Sequence, residues 1–169
     1  ASEKAIYDQH QNNPDDENYR AFLKRLTDPL ITKLSPHAVG LDFGSGPGPT
    51  LSLVMQEAGH EMQIYDPFYA PDQSVLDQLY DFITATEVFE HLHQPGVVIN
   101  ELAGLLKKGG WLGVMTKRIP KDKPFAEWHY TRDPTHVIFF ADETFDWIAK
   151  QFVFVKEFIS NDVALLQNH

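Results

Sequence analysis

Residues 40–54, GLDFGSGPGPTLSLV, place four glycines and two prolines between two apolar runs. So dense a supply of glycine marks a backbone that turns sharply or lies bare against something else, because glycine takes left-handed dihedrals and close approaches at little steric cost. The flanks say which kind of turn it is. AVGLDF before the cluster reads as a buried strand, and Thr50–Ala58 after it reads as a helix that stops at Gly59. Strand, glycine turn and helix in that order gather backbone N–H groups and a helix N-terminus at one spot above a sheet, where a ligand can sit.

The rest of the chain repeats the alternation. EMQIYDP reads as a second strand ending in Asp66, YDFITATEV as a third and GWLGVMTK as a fourth. QPGVVINELAGLLKKGG reads as a helix stopped by Gly109, and DETFDWIAKQ as a helix with Asp142 as N-cap and Phe145 and Ile148 facing inward. VFVKEFI and DVALLQ, separated by Ser160-Asn161, form a terminal hairpin. The expected fold is α/β: a mostly parallel sheet with helices on both faces and a C-terminal antiparallel hairpin. Only residues 67–80 separate Asp66 from Asp81, room for one crossover. One strand is therefore expected to be missing, or reduced to a stub around Val75–Leu79.

Upstream, Tyr19, Phe22, Leu23, Leu26, Leu30 and Ile31 recur at helical spacing and read as core packing, with Asp28-Pro29 ending one short helix and capping another. Two segments result: an N-terminal helical cap over 1–37 and a main unit over 38–169. At 169 residues and 43% hydrophobic, the chain has enough apolar side chain for one packed core. Its 14 Lys and Arg against 24 Asp and Glu give a net charge of −10, which argues against phosphate-dominated nucleic-acid binding. The absence of cysteine excludes disulfides and thiolate zinc sites, and no metal site is read from the sequence. No signal-peptide pattern or membrane-length apolar run stands out, so the expectation is a cytoplasmic protein without membrane contact. Nothing in the sequence specifies an oligomeric state.

Two ligand types use such a glycine turn: dinucleotides, through the pyrophosphate, and S-adenosylmethionine, through its methionine part. The dinucleotide fingerprint is G-x-G-x-x-G, whereas here Gly44, Gly46 and Gly48 alternate behind Asp42. Asp66, ending the second strand, can accept hydrogen bonds from both hydroxyls of a ribose. LDFGSGPG, IYDP, YDFITATEVFEHL, LLKKGGWLGVMT and HVIFF resemble, in order, the motifs of class I S-adenosylmethionine-dependent methyltransferases, most closely compact bacterial members. The resemblance runs over residues 38–169 and implies a Rossmann-like sheet. It also implies that Asp42, Gly44, Ser45, Gly46 and Gly48 lie along the methionine part, Asp66 holds the ribose, and Pro67 and Phe68 pack on adenine. Thr86 and Glu87 would lie beside the methionine, with His91 near the reacting methyl. Helices before the first strand usually cover the cofactor in this family, which gives AIYDQHQNN, with Tyr7 and His10, the role of a lid.

The expected reaction moves a methyl group from S-adenosylmethionine to a small-molecule acceptor by in-line displacement. Positioning supplies much of the catalysis, and a base is needed only where the acceptor must lose a proton. EWHYTRDPTHVIFF, residues 127–140, follows the fourth strand and should cross the carboxyl end of the sheet. It offers Trp128, Tyr130 and Arg132 as acceptor contacts and His136, then His129, as bases. Two alternatives stay open: an NAD(P)-dependent oxidoreductase, and a non-catalytic S-adenosylmethionine-binding member of the fold.

Overall fold

The structure, a computed structural model, describes residues 13–169. The elements run α1 (Glu17–Ile31), β1 (Val39–Phe43), α2 (Thr50–Glu57), β2 (Glu61–Tyr65), β3 (Tyr80–Thr86), α3 (Pro95–Leu105), β4 (Leu106–Met115), α4 (Asp142–Phe152), β5 (Phe154–Phe158) and β6 (Val163–Asn168). They build one six-stranded sheet in the order β2-β1-β3-β4-β6-β5. The first four strands are parallel, and β6 pairs antiparallel with both β4 and β5. This is the expected Rossmann-like mixed sheet with a terminal hairpin.

Side-chain alternation along the strands makes two cores. Phe82 of β3 and Val163 and Leu165 of β6 face Leu23, Leu26 and Leu30 of α1 and Leu51 and Met55 of α2. Ile83, Ala164 and Leu166 on the opposite face meet Ile99 and Leu102 of α3 and Phe145 and Ile148 of α4. The segment expected as a cap thus packs through α1 on α2, β4 and β6. Tyr7 and His10 lie outside the described residues. Between β2 and β3 the chain makes only a short 3-10 turn, Gln73–Asp77, with Val75 buried, and no strand.

Three local expectations need correction. The helix does not break at Asp28-Pro29; α1 continues through Pro29, which falls in its last turn. There the missing proline N–H forfeits one bond near an end that frays anyway, and Thr32 Oγ1 donates to the Pro29 carbonyl at 2.7 Å. Gly109 does not stop α3, which ends at Leu105. The following residues already pair with β3, Tyr80 with Leu106 and Phe82 with Trp111, so β4 bulges over Lys107–Gly110 and Gly109 takes φ +79° within that bulge. Finally, Asp142 is the first residue of α4 rather than its cap; Ala141 holds that place, its N–H donating to Thr144 Oγ1 at 3.1 Å.

Candidate active site

The glycine turn lies at the carboxyl end of β1, bound to the end of β2. Gly44 and Ser45 N–H both donate to the Tyr65 carbonyl, at 2.7 and 3.2 Å, and Gly46 N–H donates to Asp66 Oδ2 at 2.9 Å. Gly44 (φ +77°) and Gly46 (φ +67°) hold left-handed backbone. A Cβ on Gly44 would stand 2.4 Å from Val88 Cγ2, so both conformation and space require glycine there. Asp66 is buried, and its Oδ1 accepts from Phe68 N–H at 2.8 Å and Tyr69 N–H at 3.1 Å, folding residues 66–70 into a tight turn. Beneath the loop Asp42 is buried with Thr84 Oγ1 donating to it at 2.8 Å; burial raises its pKa to about 6, against the effect of that hydrogen bond and with that of Asp66.

These residues wall a cavity of about 1140 Å³ at the carboxyl end of the sheet. Every residue that the resemblance ties to the cofactor lines it: Asp42, Gly44, Ser45, Gly46, Gly48, Asp66, Pro67, Phe68, Thr86 and Glu87, and so do His91 and His136. Ser45 Oγ, Thr86 Oγ1 and Glu87 Oε1 are buried around it without a hydrogen-bond partner in the protein. Buried polar atoms are seldom left so, and here three of them border one cavity. Tyr19, Phe22 and Leu23 of α1 form part of its wall. Periodicity assigns these three to core packing alone; the tyrosine hydroxyl within that apolar stripe is the signal of a second role.

Beyond β3, Glu87 takes the left-handed region at φ +53° and donates its N–H to the Met115 carbonyl at 2.8 Å. Burial first, then the neighbouring Glu90, pushes its carboxyl pKa up to about 8. Glu90 is fully buried and accepts from Thr116 Oγ1 at 2.8 Å and from the Tyr130 hydroxyl, while its carbonyl accepts from Val137 and Ile138 N–H at 2.8 and 3.2 Å. Glu90 is not among the residues that the sequence singles out. It fastens residues 128–140 to the end of β3, and that docking brings His136 beside His91 with ring centroids 5.0 Å apart. Each imidazole gives its Nδ1 hydrogen to a backbone carbonyl, His91 to Thr135 at 2.9 Å and His136 to Tyr130 at 2.7 Å.

The other candidates on this connection stand elsewhere. Trp128 and Tyr130 are buried in an aromatic cluster with Phe139, their own ring centroids 5.0 Å apart, so their surface goes to packing. His129, on the short turn between them, is exposed, with Nε2 3.2 Å from Lys117 Nζ. Arg132 is exposed as well. None of these four lines the cavity.

A family model described as a methyltransferase domain matches residues 16–156. Ubiquinone biosynthesis O-methyltransferase from Aeromonas salmonicida is 28% identical over 128 residues, 66% of this chain and 54% of that protein. The enzyme of the same name from Marinobacter nauticus is 35% identical over 94 residues, 53% of this chain and 39% of its own length. The chain thus spans about half, or less, of the length of these relatives. Among solved structures, 1,6-didemethyltoxoflavin-N1-methyltransferase from Burkholderia thailandensis, with bound 1,6-didemethyltoxoflavin and S-adenosylhomocysteine, superposes with TM-score 0.67 at 14% identity, over 97% of this chain and 84% of that one. An O-methyltransferase family protein from the same organism gives TM-score 0.64 at 13% identity, over 99% of this chain and 63% of that one.

Proposed function

We propose, from the premise that this chain belongs to the methyltransferase domain family, that it binds S-adenosylmethionine in the cavity above the glycine turn and passes the methyl group to a small-molecule acceptor. One observation carries the reading. The glycine turn, Asp66 and the Thr86–Glu87 pair border a single cavity that also holds three buried polar atoms without protein partners. A cofactor with an ammonium, a carboxylate and two ribose hydroxyls supplies partners for such atoms.

The charge pattern agrees. Asp42 and Glu87 are carboxyls whose ionisation burial opposes, and a cation beside them restores it. The cofactor brings two cations, its ammonium and its sulfonium. In this reading Asp66 receives the ribose hydroxyls on the lone pairs that the three backbone amides leave, and Phe68, 45% exposed at the cavity, gives adenine an apolar face. The acceptor approaches from the His91–His136 side. Its nucleophilic atom attacks the methyl carbon in line with the carbon–sulfur bond, and the bonding pair leaves with sulfur, which becomes a neutral thioether. The protein positions the two reactants and excludes water. His136 and His91, side by side, face the acceptor from this wall of the cavity.

The named proteins are an O-methyltransferase of ubiquinone biosynthesis and an N1-methyltransferase of 1,6-didemethyltoxoflavin. We accordingly assign this chain a small planar acceptor. The family match lends nothing to a nicotinamide reaction. Calorimetric titration separates the two cofactors: S-adenosylmethionine and S-adenosylhomocysteine should each give a saturable single-site heat, and NAD⁺ none. A saturable NAD⁺ heat with no response to S-adenosylmethionine would overturn the assignment.

A further inference from the structure

We propose that Glu90, His91 and His136 form a site for one divalent metal ion, which activates a hydroxyl of the acceptor. The inference rests on the methyl-transfer reading and specifies how the histidine side of the cavity serves it. It also reverses the expectation from sequence that the chain has no metal site.

Each of the three residues offers one ligand atom, and the three atoms lie within 4.8 Å of one another. Ligands at ~2.0–2.2 Å from one tetrahedral ion stand about 3.3–3.6 Å apart, so side-chain rotation that closes the group by about an ångström completes it. The surroundings are those that orient metal ligands. A carbonyl only accepts, so the contacts to Thr135 and Tyr130 put the hydrogen of each neutral imidazole on Nδ1 and its lone pair on Nε2. The Glu90 carboxylate is held by two hydroxyls, those of Thr116 and Tyr130. All three ligands therefore have the outer hydrogen bonds that fix tautomer and direction at metal centres. Glu90 is fully buried behind the pair while both imidazoles line the cavity, which leaves the ion's open face toward the acceptor.

Acidic side chains crowd the group. The Tyr130 hydroxyl that binds Glu90 stands 3.4 Å from Glu87 Oε2, and Glu87 Oε1 is buried without a partner. Three carboxyls, those of Glu87, Glu90 and Asp133, share this corner with the two imidazoles, Asp133 Oδ2 standing 3.7 Å from His136 Nε2, while Lys117 Nζ lies 3.2 Å from His129 Nε2 and 5.4 Å from the centroid of Tyr130. Two imidazole nitrogens and one carboxylate oxygen suit manganese, iron or zinc better than calcium. In the reaction, an acceptor hydroxyl bound to the ion releases its proton to water, the oxygen forms a bond to the methyl carbon, and the carbon–sulfur bond breaks with its pair retained by sulfur. The imidazoles then act as ligands, and the lowered pKa of the bound hydroxyl replaces a protein base.

The test uses the whole chain, stripped with a chelator and titrated with Mn²⁺ alone, then challenged with Zn²⁺. One Mn²⁺ should bind, its electron spin echo should carry nitrogen modulation from imidazole, and Zn²⁺ should displace it. His136→Gln and His91→Gln should each weaken Mn²⁺ binding by about tenfold or more, while His129→Ala keeps it. Binding of neither ion by the wild type, a Mn²⁺ echo without nitrogen modulation, or wild-type affinity in both glutamine variants would each overturn the site. The wild-type echo decides the matter even where a variant fails to fold. Calorimetry with S-adenosylmethionine on the same samples separates the two claims: cofactor heat without metal binding removes this inference alone, and metal binding without cofactor heat removes the methyl-transfer reading alone.

Discussion

Asp66 shows how one carboxylate can serve two purposes. From the sequence it is an acid at a strand end, outside the core, whose removal spares the fold. The structure buries it and gives it three backbone N–H donors from Gly46, Phe68 and Tyr69. Charge-assisted bonds of this kind contribute about 1.5–3 kcal/mol each, net of exchange with water. Asp66→Ala should therefore weaken S-adenosylmethionine by at least about tenfold and also lower the melting temperature by several degrees; calorimetry and thermal melts check the two effects separately. Asp42 governs a pH effect. Its folded pKa of about 6 lies above the ordinary 3.8, so the native state holds a proton that the unfolded chain releases, and its contribution to stability is lost as pH rises through that interval. Cation binding runs the other way, because it needs the carboxylate. Cofactor affinity should fall by up to about tenfold per unit as pH drops below 6, and Asp42→Asn should flatten that limb of the profile.

At the scale of elements, hydrophobic period made most of the sheet legible. Runs such as AVGLDF and YDFITATEV are strands because apolar side chains are needed on both faces of a sheet covered twice. Period failed where a residue's partner is remote. The lysines and glycines of 107–110 read as a helix end, yet their pairing with β3 decides their conformation. Along 128–140 every aromatic or imidazole looks fit for a site. Only the docking of this segment on Glu90 sends Trp128 and Tyr130 into packing, His129 outward and His136 to the cavity. A buried glutamate between a phenylalanine and a histidine gives no such hint on its own. The turn from α4 into β5 is also hidden from pattern: Val153 takes φ +58° while 65% exposed. A β-branched residue is strained in that region by about 1 kcal/mol or more. Val153→Gly should raise the denaturation midpoint by an increment of that order, measured by chemical unfolding, and leave cofactor affinity unchanged.

Across the whole molecule, α1 links the site to the core. Leu26 is fully buried between α1 and the sheet, while Tyr19 and Phe22 on the same helix wall the cavity. Leu26→Ala should cost about 2–5 kcal/mol of folding stability, and loosening the helix should weaken the cofactor as well; paired unfolding and binding titrations on that variant would show both. Within the sheet, β6 lies between β4 and β5, with Val163 to Leu166 at 1% exposure or less and backbone pairing on both sides. The Asp66–Ala70 turn, by contrast, is held by one backbone bridge and by the Asp66 carboxylate rather than by strand neighbours on both sides. In deuterium exchange the amides of β6 should open only with the entire fold and so report its global free energy, whereas those of the turn open by local fluctuation. A ligand seated on the turn would slow its amides directly, and β6 would respond only by the amount that binding adds to overall stability. Strand and turn thus give, within one labelled sample, a reference clock and a sensor.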